Sequence, residues 1–163
     1  MINRIVVDTS YLVELFEIPK KSNEAAVKEV KARFAQAIKA GSFLYVSTSA
    51  LFELANHIAH VNDGYVRKKL AEKLKTAVEN SKNKQNPWII EPCEELADIE
   101  LLVNALVQFS DQYAAQGLGL TDTSLVLIAK NLKKQYKSDN VYIWTTDQDL
   151  KAREPDTEPN PFV

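Results

Sequence analysis

Five acids stand at positions where a fold could gather them into one reactive centre. Asp8 closes the β-branched run RIVVD, and Glu53 lies inside the apolar run ALFELA. Asp122 opens the segment DTSLVLIA, and Asp147 and Asp149 follow the run VYIWT. Each alone has an ordinary explanation: Asp8 and Asp122 suit helix N-termini, and Glu53 suits a solvated helix surface. Together at one place they would repel one another and hold their protons more tightly unless a cation neutralised them. Magnesium and manganese favour such oxygen ligands, keep several waters and leave room for a substrate phosphate. The chemistry this points to is phosphodiester hydrolysis, with an activated water and stabilised phosphate charge, and with one ion or two.

The elements that must position these acids follow from hydrophobic period. Arg4 to Asp8 reads as a buried strand feeding a helix near Tyr11. Asn23 to Ala40 has apolar residues at helical spacing and ends at Gly41. Phe43 to Val46 reads as a second strand, and Ser47, Thr48 and Ser49 open a helix to about His60, with Leu54, Ile58 and Val61 as its core stripe. A lysine-rich helix then runs to about Lys82, and Trp88 to Ile90 reads as a third strand. The spacing of Leu96, Ile99, Leu102, Val103, Leu106, Phe109 and Tyr113 predicts one long helix from Glu94 to Ala115. Thr121 is expected to cap a helix from Asp122 to about Tyr136, and Val141 to Thr145 reads as a fourth strand. Strands separated by helices imply crossovers, a mostly parallel sheet covered on both faces, and ligand sites outside the strands' carboxyl ends. Asp8 and Asp147 are expected at that edge.

At 163 residues the chain fits one domain with a core of its own. Residues 1–152 read as that domain, and 153–163, with three prolines, as an irregular tail. Cys93 is the single cysteine, which excludes an internal disulfide and a thiolate zinc site and fits a reducing compartment. Neither a signal peptide nor a membrane-spanning run is expected, so the sequence reads as cytoplasmic. The net charge of −2 gives no long-range pull toward nucleic acid, so phosphate binding must be local. The lysine-rich stretch 67–84 is read as a solvated helix face. His57 and His60 share an edge with Glu53 and are read as rim or packing residues. Trp88 and Trp144 are read as core.

In order along the chain, VVDTSYL, ALFEL, LTDTSLVLIA and WTTDQDL resemble the PIN domain family over nearly the whole length, with VapC-type toxins of toxin–antitoxin pairs the nearest likeness within it. The resemblance implies a three-layer α/β/α sandwich and an endoribonuclease dependent on Mg2+ or Mn2+. It places Asp8, Glu53, Asp122 and Asp147 at the family's acidic positions, matches Thr145 and Asp149 to its T-x-D-x-D element, and implies that Thr9 and Ser10 help line the site. It also implies RNA such as tRNA or ribosomal RNA as substrate, an antitoxin as partner, and a homodimer. The lysine-rich stretch makes the chain longer than a minimal toxin.

Two phosphoryl-enzyme readings fail on residues. A haloacid-dehalogenase-like phosphatase needs a second acid two positions after Asp8, where this chain has Ser10. A response-regulator receiver needs paired acids at the first strand and a lysine after the last, and neither is in place. The alternative of another class is a catalytically silent RNA- or protein-binding module, against which the complete set of acids argues.

Overall fold

A computed structural model describes residues 1–162. Four strands, β1 (Asn3–Val7), β2 (Phe43–Ser47), β3 (Trp88–Glu91) and β4 (Asn140–Trp144), form one sheet in the order β3-β2-β1-β4. Every pairing is parallel, with Val7 opposite both Val46 and Trp144. The β-branched and aromatic runs suit a sheet buried on both faces, and alternation along each strand divides the core in two. Ile5, Val7, Leu44, Val46 and Trp144 face helices α1 (Thr9–Leu15), α2 (Glu24–Lys39), α3 (Thr48–Ala59) and α4 (Gly64–Lys82). Val6, Tyr45, Val141 and Ile143 face α6 (Leu120–Gln135) and Tyr113. The result is the expected three-layer α/β/α sandwich, with Trp88 and Trp144 in the core.

Several boundaries differ from the sequence reading for local reasons. The first helix begins at Thr9, because Asp8 itself is the N-cap. The helix carrying Asp122 begins two residues earlier than expected, at Leu120. Gly119, rather than Thr121, is its N-cap, and the Gly119 N–H donates to Asp122 Oδ2 at 2.8 Å. The single long helix from Glu94 to Ala115 is a correction. Asp98 accepts from the N–H groups of Glu100 and Leu101 and so starts a new helix, α5 (Ile99–Gln108), after a 3-10 turn. A π-helical turn over Phe109–Tyr113 then shifts the register and buries Tyr113, while Leu96, Ile99, Val103 and Leu106 are exposed.

After the short α7 (Gln148–Lys151), the described part of the tail forms neither helix nor strand but is tied to the outer edge of β4. The N–H groups of Val141 and Ile143 donate to carboxylates of Asp156 and Glu154, at 2.8 and 3.0 Å. Lys151 Nζ reaches the Ile143 carbonyl and both Glu154 and Glu158. Arg33 of α2 completes the chain of charge at Glu158. Charged side chains thus satisfy a strand edge that would otherwise be open to pairing. No helix among the described residues is long and apolar enough to cross a membrane.

Candidate active site

The parallel topology brings the ends of β1, β2 and β4 to one rim, and there the N-termini of α1, α3, α6 and α7 surround a cavity of about 380 Å³. Its lining includes Asp8, Thr9, Ser10, Glu53, Asp122 and Asp147, so four of the five anticipated acids meet. Asp149 does not. Asp147 caps α7 through the N–H groups of Asp149 and Leu150, and Asp149, two residues on and about 200° around the helix, is exposed and outside the lining.

Asp8 is the most enclosed of the four, at 7% exposure. Its Oδ2 accepts from Ser10 Oγ at 2.7 Å and Thr145 Oγ1 at 2.8 Å. Those hydroxyls accept in turn from the N–H groups of Thr146 and Asp147, both at 3.0 Å. Each hydroxyl's proton is therefore directed at Asp8, and the turn after β4 is locked to the end of β1. Thr9 is buried beside them and its Oγ1 donates to the Ala50 carbonyl of α3.

A second hydroxyl relay, not anticipated from the sequence, joins the helices that carry Glu53 and Asp122. Ser49 Oγ lies 2.8 Å from Ser47 Oγ and 3.0 Å from Ser124 Oγ, and Ser124 donates to the Thr121 carbonyl. In sequence the Ser47 to Ser49 cluster signals only a helix start. Of the other lining residues, Glu14 and Lys21 escaped that reading, whereas His57 is a rim position it named. Glu14 is buried one turn after Ser10; desolvation raises its pKa, opposed by a hydrogen bond from the Asn23 N–H. Lys21 comes from the turn before α2, and His57 sits on the rim one turn beyond Glu53. His60, by contrast, turns its Nδ1 to the Asn56 carbonyl at 2.7 Å.

The electrostatic imbalance is plain. Five carboxylates, those of Asp8, Glu14, Glu53, Asp122 and Asp147, share the cavity with Lys21 as the one lysine or arginine among its lining residues. Burial pushes the Asp122 carboxyl up to about 6; the Gly119 N–H opposes this, and the charges of Asp8, Asp147 and Glu53 add to it. Asp8, Asp122 and Asp147 each commit one oxygen to protein donors and leave the other without one among the described residues. No group of three or more His, Cys, Asp or Glu side chains among the described residues is arranged so that it could hold a metal ion by itself. The donor set is thus all-oxygen and open. Such a set fits a hydrated hard cation, which takes few protein carboxylates and keeps its waters, better than a closed zinc cage.

No protein-family model and no curated protein matches the chain. Among solved structures it is similar to a chain in the crystal structure of FitAcB from Neisseria gonorrhoeae, with a TM-score of 0.55, 18% identity and 91% of each chain covered. At that identity the likeness concerns the fold, which is PIN-like: a parallel four-stranded sheet between two layers of helices.

Proposed function

We propose that the protein is a metal-dependent endoribonuclease acting at this cavity, as its sequence resemblance to PIN domains implies. The observation that carries the reading is the meeting of Asp8, Glu53, Asp122 and Asp147, from four separate elements, with so little positive charge between them. A magnesium or manganese ion held by these carboxylates would supply a water of lowered pKa and offset the charge on the phosphate. Asp8 is the fixed point, since Ser10 and Thr145 hold its Oδ2 and leave Oδ1 without a donor among the described residues. Asp122, raised to about 6, gives up its proton only toward neutral pH, so cation affinity rises with pH through that range. Glu53 and Asp147 complete the set, and Lys21 and His57 are placed to meet substrate phosphate at the rim.

Family resemblance adds RNA as substrate, tRNA or ribosomal RNA among the candidates, a homodimer, and an antitoxin protein that blocks the acidic cavity. The test is cleavage of total cellular RNA by purified protein in magnesium, manganese or chelator, with Asp8→Asn beside it. Discrete products that need metal and vanish in a folded Asp8→Asn variant are expected. Cleavage unchanged by the substitution would remove Asp8 from the mechanism, and no cleavage in any metal would end the nuclease reading.

A further inference from the structure

The cavity repels the polyanion it is proposed to cut, and the chain as a whole carries a net charge of −2. Beyond a bound cation and the rim residues Lys21 and His57, charge that holds a longer substrate would have to lie elsewhere. One open groove, of about 500 Å³, is lined by Lys130, Lys133, Lys134 and Lys137 from the C-terminal end of α6 and just beyond, and by Arg153 and Glu154 after α7. Its single carboxylate is already committed, because Glu154 is paired with Lys151 at 2.7 Å and accepts from the Ile143 N–H. Lys133 is held by Asp156. The remaining four cations have no carboxylate partner among the described residues. Lys130 donates to Tyr113 Oη at 3.1 Å, and Arg153 donates to Gln116 and lies over the same Tyr113 ring.

The ordinary explanation covers only part of this. Lysines in a last helical turn favour the helix dipole, which accounts for Lys133 and Lys134. It does not account for Arg153, which comes from a different element, or for two aromatic-anchored cations facing the same groove. The groove and the cavity share no lining residue and lie toward opposite ends of α6. The groove is bounded by α6, whose first turn carries Asp122, and by the segment after α7, whose N-cap is Asp147. From Asp122 to Lys133 is about 16 Å along the helix, at roughly 1.5 Å per residue.

We propose that this groove is a second binding site, for the phosphate backbone of single-stranded RNA a few nucleotides from the scissile bond. The proposal rests on the nuclease reading for its substrate, and its contacts are charge-based and indifferent to base identity. At about 3.4 Å per stacked nucleotide, about five nucleotides span the distance from cavity to groove. A tetranucleotide cut at the cavity does not reach it.

The test uses anisotropy of a labelled, mixed-sequence 20-nucleotide RNA in chelator across a salt series. It compares the wild type, Lys134→Gln/Lys137→Gln, and a control of equal charge change on α4, Lys75→Gln/Lys82→Gln. Each lost phosphate contact lowers the salt slope by about 0.7, so the groove variant should bind about 25-fold more weakly near 0.1 M salt, with a slope shallower by about 1.4. The control should stay within about twofold, and all three proteins should cut a tetranucleotide equally in manganese. Equal weakening in groove variant and control, or no weakening in the groove variant, overturns the proposal while cleavage still stands. Groove-dependent binding of polyglutamate with RNA affinity unchanged overturns it in favour of an acidic protein partner. Groove-dependent RNA binding without cleavage in any metal supports the groove and removes the nuclease reading instead.

Discussion

Removing the charge of Asp122 should stabilise the metal-free protein even though the proposed function needs that charge. Its carboxyl is raised to about 6 from an ordinary 3.8. Because the folded state binds this proton more tightly than the unfolded chain, ionisation counts against folding: the penalty is absent below pH 3.8, grows as pH rises, and is complete above about 6. The difference of about 2.2 corresponds to about 3 kcal/mol, which solvent screening of this half-buried group reduces to about 1.5 kcal/mol. Asn keeps an oxygen for the Gly119 N–H, while losing a negative charge near a helix N-terminus costs back about 0.5 kcal/mol. The net expectation for Asp122→Asn in chelator at pH 7.5 is a gain of about 1 kcal/mol, or roughly 2–4 °C in Tm.

The assay is urea and thermal unfolding at pH 7.5 and pH 4, with chelator and then with manganese. The advantage of the variant should shrink toward zero at pH 4. Manganese should raise the Tm of the wild type by mass action and that of the variant far less. A variant less stable than wild type in chelator at neutral pH, or an advantage that persists at pH 4, would refute the reasoning.

Thr145→Val keeps the side-chain shape but removes a proton from Asp8 Oδ2 and an acceptor from the Asp147 N–H; unfolding should show a loss of about 1–3 kcal/mol, with slower RNA cleavage. Lys151→Met strips the cation from Glu154, whose side chain is 4% exposed, and should cost about 3–5 kcal/mol by urea unfolding. Adding Glu154→Gln should return part of that loss. Cys93 is buried, and its thiol is pushed up to about 11 by desolvation and Glu95, so iodoacetamide at about pH 8 should label it only after unfolding.

The strands were legible because a doubly covered parallel sheet demands short β-branched runs, and RIVVD, FLYV and VYIWT are such runs. The meeting of the acids followed from topology, since residues that end parallel strands or begin the next helices share one rim. Three things were not legible. The break at Asp98 and the π turn near Phe109 interrupt a helical period that the apolar residues alone carry straight through, so exposed Ile99 and Val103 looked like core. Asp147 and Asp149 are alike in sequence, and only the cap geometry shows which one faces the cavity. The docking of the tail rests on side chains bonding to a strand edge, which leaves no periodic trace.

The same residue type has two different surroundings at the outer edge and the carboxyl end of β4, and the difference sets the cavity apart. At its outer edge Glu154, Asp156 and Glu158 each meet a lysine or arginine, from Lys151, Lys133 and Arg33, so their charge is settled within the fold. At its carboxyl end Asp147 joins four other cavity-lining acids with only Lys21 among them. Burial alone would not separate these groups, since each holds an enclosed carboxylate, Asp8 in the cavity and Glu154 at the edge. Charge balance does. The tail acids need nothing more to be stable, whereas in the cavity Asp122 is raised by burial and by the charges of Asp8, Asp147 and Glu53, and a cation is a partner that would offset that charge. Cavity and edge should therefore differ in one measurable way: chelator should leave the stability contributed at the β4 edge untouched, and the metal-dependent part of the Tm should vanish with Asp8→Asn or Asp122→Asn but survive Lys151→Met.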